Sequence, residues 1–149
     1  MPGEQGRAQG AAGIATSNEG FISNAGFVVT GEGVVVFDSL GTPSLGAELL
    51  KLIRSVTDQP VVMVVVSHYH ADHIYGLQVF EDMGAEVLAP YGVFQYLNSP
   101  NVAERLEERR FSLEPWVNEN TRLVQPDRVL QASEIIDDGK VKMTVYYLG

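Results

Sequence analysis

Apolar positions change their period several times along this chain, and each change marks an element. Phe27 to Thr30 and Val34 to Phe37 are two β-rich runs joined by Gly31-Glu32-Gly33, which predicts a hairpin. Thr42-Pro43 then supplies an N-cap and a proline at the first helical position. Leu45, Leu49, Leu52, Ile53 and Val56 follow at helical spacing, and Asp58-Gln59-Pro60 stops the helix. Val61-Val62-Met63-Val64-Val65-Val66 is an unbroken, β-branched apolar run, the pattern of a strand buried on both faces. From Asp72 to Met83, Ile74, Leu77, Val79 and Phe80 are spaced for one helix face, and Gly84 ends that helix. Glu86-Val87-Leu88-Ala89 predicts a short strand before Pro90, and Val102 to Leu113 a charged helix. Glu114 to Arg128 reads mostly as loop, and Val141 to Tyr147 as a last strand after the Asp138-Gly139 turn. Strands alternating with helices predict an α/β (α+β) fold.

The run of valines ends in chemistry. His68, His70 and His73 are the only three histidines of the chain, and they sit in His68-Tyr69-His70-Ala71-Asp72-His73. Neutral imidazole nitrogen and carboxylate oxygen are ligands that zinc, iron and manganese accept. The cluster falls between a buried strand and a helix, and open α/β sheets place ligand sites at the carboxyl ends of their strands. A His-rich surface tract can bind metal without function. Here an interleaved aspartate and a buried strand behind the histidines favour a true site, with His68, His70, Asp72 and His73 as metal ligands.

Composition narrows the field without naming an activity. With 149 residues, 45% hydrophobic, the chain can bury one core. A net charge of -9 argues against a nucleic-acid partner. With zero cysteines there are neither disulfides nor thiolate ligands. No apolar run approaches the roughly 18 residues of a membrane span, and Met1 to Arg7 lacks the apolar core of a signal peptide. The Gly/Ala/Gln-rich opening, residues 1–17, reads as a disordered tail. Residues 18–149 carry neither a repeat nor an internal linker and read as one domain.

Residues 68–73 match every fixed position of His-x-His-x-Asp-His, and Val34-Val35-Val36-Phe37-Asp38 matches an apolar strand ending in an aspartate. In both, the chain resembles the metallo-β-lactamase-fold superfamily. More narrowly, several segments look like the bacterial SoxH-like branch, also labelled quinoprotein relay-system zinc metallohydrolases. They are Asn24-Ala25-Gly26-Phe27-Val28-Val29, Ser67 to Gly76, Arg105-Leu106 to Arg109-Arg110, and Pro115-Trp116. The resemblance runs from about Phe21 to Gly149 and covers the amino-terminal half of the family's αββα sandwich.

The resemblance implies a metal-dependent hydrolase, with two Zn2+ ions per complete site and a metal-bound hydroxide as nucleophile. Iron or manganese are the alternative metals. His68 and His70 would bind the first ion, and Asp72 and His73 the second, with Asp72 also orienting the hydroxide. Asp38 would support the ligands from behind. The family cleaves lactams, thioesters, lactones, phosphoesters and sulfate esters, and the motif does not choose among these small-molecule substrates. Its further ligands lie downstream, yet no histidine follows His73 in this chain. The alternatives are therefore a non-catalytic metal-binding fragment or subunit, or a mononuclear iron protein like the persulfide dioxygenases. SoxH-like relatives are generally exported, which points to the periplasm; the chain as it stands points to the cytoplasm. A half-sandwich also leaves one sheet face bare, which predicts a homodimer or pairing with a complementary carboxy-terminal half.

Other features have blander readings. Asp38 alone is consistent with a strand-end residue that bonds a turn. The mixed charges Glu104, Arg105, Glu107, Glu108, Arg109 and Arg110 read as a solvated helix face rather than an anion site. Trp116, the sole tryptophan, and Tyr69 and Tyr75 beside the ligands read first as packing residues.

Overall fold

Among the described residues, six strands form one sheet in the order β1-β2-β3-β4-β5-β6. This is a computed structural model, and it describes residues 5–9, 24–67, 74–112, 115, 117, 119–137 and 142–145. The strands are β1 (Gln5–Gln9), β2 (Asn24–Val29), β3 (Val34–Phe37), β4 (Val61–Val65), β5 (Glu86–Pro90) and β6 (Arg128–Leu130). Antiparallel pairing joins β1, β2 and β3, and parallel pairing joins β3, β4, β5 and β6. A second, two-stranded antiparallel sheet pairs β7 (Glu134–Asp137) with β8 (Lys142–Val145). The helices among the described residues are α1 (Pro43–Val56), α2 (Leu77–Glu81), α3 (Tyr91–Leu97) and α4 (Val102–Ser112).

The local chemistry read from the chain is in place. Thr30 closes the β2–β3 turn, its backbone N–H and hydroxyl both donating to Gly33 O. Thr42 caps α1 by accepting from the Leu45 N–H at 3.0 Å, with Pro43 next in the first turn. Gly84 ends α2 with φ 87°, and the Ala85 N–H reaches back to Phe80 O, so the freed carbonyl is satisfied.

The main core lies between the sheet and its helices. Phe27, Val29, Val34, Val36, Val64 and Val87 face Leu45, Leu49 and Ile53 of α1, Leu77 and Phe80 of α2, and residues of α3 and α4. The alternate residues Val35, Val65, Leu88 and Leu130 form a smaller buried cluster on the other face, with Phe37, Met63 and Val145 against it.

Three expectations change. The second sheet face is not bare, because Val35, Val65, Leu88 and Leu130 are buried and β8 packs Val145 against them. The valine run is not buried throughout: Val62 is 42% exposed and Met63 half-buried, so burial on both faces holds only toward the carboxyl end of β4. Within residues 1–17, Gln5–Gln9 pairs with β2 as an edge strand; residues 1–4 and 10–17 lie outside the described residues. Edge pairing uses backbone groups alone, so a polar, glycine-containing segment accomplishes it without an apolar face.

Candidate metal centre

His68, His70, Asp72 and His73 lie outside the described residues, as do Tyr69 and Trp116. The described residues on either side of the ligand segment are held as follows. Before it comes β4, an interior strand whose last residues are tied on both sides. The Val66 N–H donates to Leu88 O of β5 at 2.8 Å, and the Asp38 N–H donates to Val65 O at 2.9 Å. The parallel register puts Phe37 opposite Val65. Asp38 therefore leaves β3 at the same carboxyl edge where β4 delivers Ser67.

There the Asp38 carboxylate accepts two hydrogen bonds from one residue. Ser67 donates its backbone N–H to Oδ1 at 2.7 Å and its hydroxyl to Oδ2 at 2.7 Å. Donors to an ionised acceptor make stronger bonds than neutral pairs. Asp38 itself is 8% exposed and holds φ 64°, a left-handed backbone that aspartate enters more readily than most side-chain-bearing residues. The aspartate read from the sequence as a supporting residue thus grips the residue immediately before His68. Ser67 was not singled out in the sequence; its position directly before the histidines was the available signal.

Past the segment the chain enters the core. Ile74 and Tyr75 are buried in the main cluster, followed by Gly76, whose N–H donates to Leu40 O at 3.1 Å. Tyr75 packs, as its default reading had it. Burial pushes its phenol up to about 12, with Tyr96 acting in the same direction and Arg109, Arg105 and Arg110 of α4 opposing. The mixed-charge helix is a solvated face with Leu106 buried beneath it, and Arg110 pairs with Glu107 one turn away.

Among the described residues, no group of three or more His, Cys, Asp or Glu side chains stands ready to hold a metal ion. All three imidazoles of the chain lie in the segment between Ser67 and Ile74, with the Asp72 carboxylate among them, and the chain has no cysteine. That donor set fits zinc, and a strand end fixed through Asp38 and Leu88 is a suitable mount for it.

A family model described as the metallo-beta-lactamase superfamily matches residues 18–147. Among solved structures, the chain is similar to the stereoselective inverting sec-alkylsulfatase Pisa1 from Pseudomonas sp., with TM-score 0.62 and 22% identity over 83% of this chain. It is also similar to a metallo-beta-lactamase from Pontibacter korlensis, with TM-score 0.57 and 22% identity over 83% of this chain. The matched region spans 24% of the first protein and 48% of the second. At such identity these two speak for the fold, which agrees with the mixed sheet and helix layer described above. With the family model spanning most of its length, the chain belongs to the metallo-β-lactamase superfamily.

Proposed function

We propose that this chain carries the first ligand cluster of a metal-dependent hydrolase, one that takes two zinc ions when its site is complete. The observation that carries the reading is the donor set of residues 68–73, placed after β4 in a chain of this superfamily. His68 and His70 hold the first ion, and Asp72 and His73 the second. Bound zinc lowers the pKa of a coordinated water and polarises the oxygen under attack. The chain's own residues fix where that happens: the imidazoles set the position of each ion, Asp72 orients the nucleophile, and Asp38 holds Ser67 and hence the root of the segment. The substrate class is a small molecule with a hydrolysable ester or lactam bond, in keeping with the superfamily.

The remaining ligands come from outside these 149 residues. Supporting this, the chain spans 24% and 48% of the two similar structures and has no histidine after His73. Taken alone, the chain binds metal with open positions and turns over slowly or not at all. Metal analysis of the purified chain by mass spectrometry tests the assignment. Zinc as the retained ion is expected; a single iron per chain would move the reading to an iron dioxygenase, and no retained metal after incubation with zinc would overturn it.

Association belongs to the same proposal, with a complementary carboxy-terminal half as the favoured partner and a second copy as the substitute when that half is absent. Ile135 on β7 is 59% exposed and Val129 lies exposed on the edge strand β6, which leaves apolar surface for a partner to cover. Sedimentation velocity at micromolar concentration is expected to give a concentration-dependent mass that settles at the dimer. A monomer at every concentration would refute self-association.

A further inference from the structure

The loop after β3 touches the chain on both sides of the ligand segment, at Ser67 and at Gly76. At the start, Asp38 accepts the two bonds from Ser67. At the end, Leu40 O accepts from the Gly76 N–H. The seat around Gly76 admits no side chain: a Cβ there would lie 2.0 Å from Ser39 O and 3.0 Å from Thr42 O. From the other side α1 closes in, since a Cβ on Gly46 would lie 2.8 Å from Gly76 O. Leu40, like Asp38, is buried and left-handed, with φ 68°. Two side-chain-bearing residues in that region within three positions mark a loop whose shape is imposed by its surroundings.

We propose that residues 38–42, with Gly46, form a brace that positions the ligand segment from both ends, and that Gly76 is its seat. The inference rests on the metal reading of residues 68–73 and deepens it. All four donors lie within the eight residues between Ser67 and Gly76, so the separation of those anchors sets how the donors converge. Groups that hold ligands in place typically govern metal affinity by about 10–100-fold without binding the ion. Ser67, Gly46 and Gly76 are positioning residues in this sense. The glycines have no donor atoms in their side chains, and the Ser67 hydroxyl proton is given to Asp38.

The test titrates zinc calorimetrically into the full chain and three variants, with cobalt(II) absorption as a second readout of coordination geometry. Ser67→Ala removes one bond at the start of the segment. Gly46→Ala raises helix propensity in α1 yet drives a methyl into Gly76. Gly92→Ala is the control, because a Cβ there meets nothing within 4 Å. Ser67→Ala and Gly46→Ala are expected to weaken zinc binding about 10–100-fold and to alter the cobalt spectrum, while Gly92→Ala matches the parent. Should Gly46→Ala fail to fold, Ser67→Ala at its exposed site decides alone. Variants that lose thermal stability but keep the parental zinc affinity and cobalt spectrum would overturn the brace. A parent chain that binds neither ion would overturn the metal reading, and the brace with it.

Discussion

Replacing His68 and His70 together by alanine is expected to abolish zinc uptake at neutral pH. By the family resemblance both side chains serve the same ion and dominate binding, so the double variant removes the main centre, and Asp72 and His73, two donors alone, are expected to hold no ion by themselves. The expected fall in affinity is at least ~100-fold, ~2.8 kcal/mol. Single replacements of Asp72 or His73 are expected to weaken uptake and leave the first ion bound. The fold should survive, because the core on either side of the segment is made by Val64, Val66, Ile74 and Leu77, none of which is altered. Circular dichroism on the same samples checks that point. Parental zinc uptake by the folded double variant would place the metal on other residues and sink the assignment.

The sequence made α1 legible almost to the residue, because three independent signals agreed there. Thr42 and Pro43 marked the start and Asp58-Gln59-Pro60 the end; of the apolar face read from Leu45, Leu49, Leu52, Ile53 and Val56, the structure buries Leu45, Leu49 and Ile53 and leaves Leu52 and Val56 exposed. The β2–β3 hairpin, β4, β5 and α4 were legible for similar reasons. Missed were β1, α3, β6 and β7, and the helix expected from Asp72 to Met83 is α2 over Leu77–Glu81. In α3, Tyr91-Gly92-Val93-Phe94 has weak helix formers, and Pro90 read as a strand stop when it is the residue preceding the first turn. β6 has three residues, too few to express a period of two. For the candidate site, the donors and Asp38 were legible as residue types in a pattern. Their support was not. A leucine at φ 68° contradicts its own preference, and the contact of Ser39 O with Gly76 joins residues far apart in the chain. Both are tertiary facts, with no local pattern to announce them. The five-residue helix that follows Gly76 depends on the same kind of fact.

Phe80→Ala is expected to cost about 3–5 kcal/mol, against typical domain stabilities of about 5–15 kcal/mol. Phe80 is fully buried at 0% exposure, between the sheet and α1. It sits in α2, which at five residues is too short to persist without tertiary contacts. Removing the ring leaves a cavity that the main core cannot close around, and it frees the element that immediately follows Gly76. Zinc affinity should therefore fall along with stability, because the far end of the ligand segment loses its anchor. Phe111→Ala makes the same chemical change on α4, where the ring is 88% exposed. It is expected to stay within ~0.5 kcal/mol of the parent. Urea midpoints measured at equal slope separate the two. A large loss in the Phe111 variant, growing with protein concentration, would mean that a partner covers that ring in the assembled protein. A small loss in the Phe80 variant would mean that α2 is not anchored through its core face.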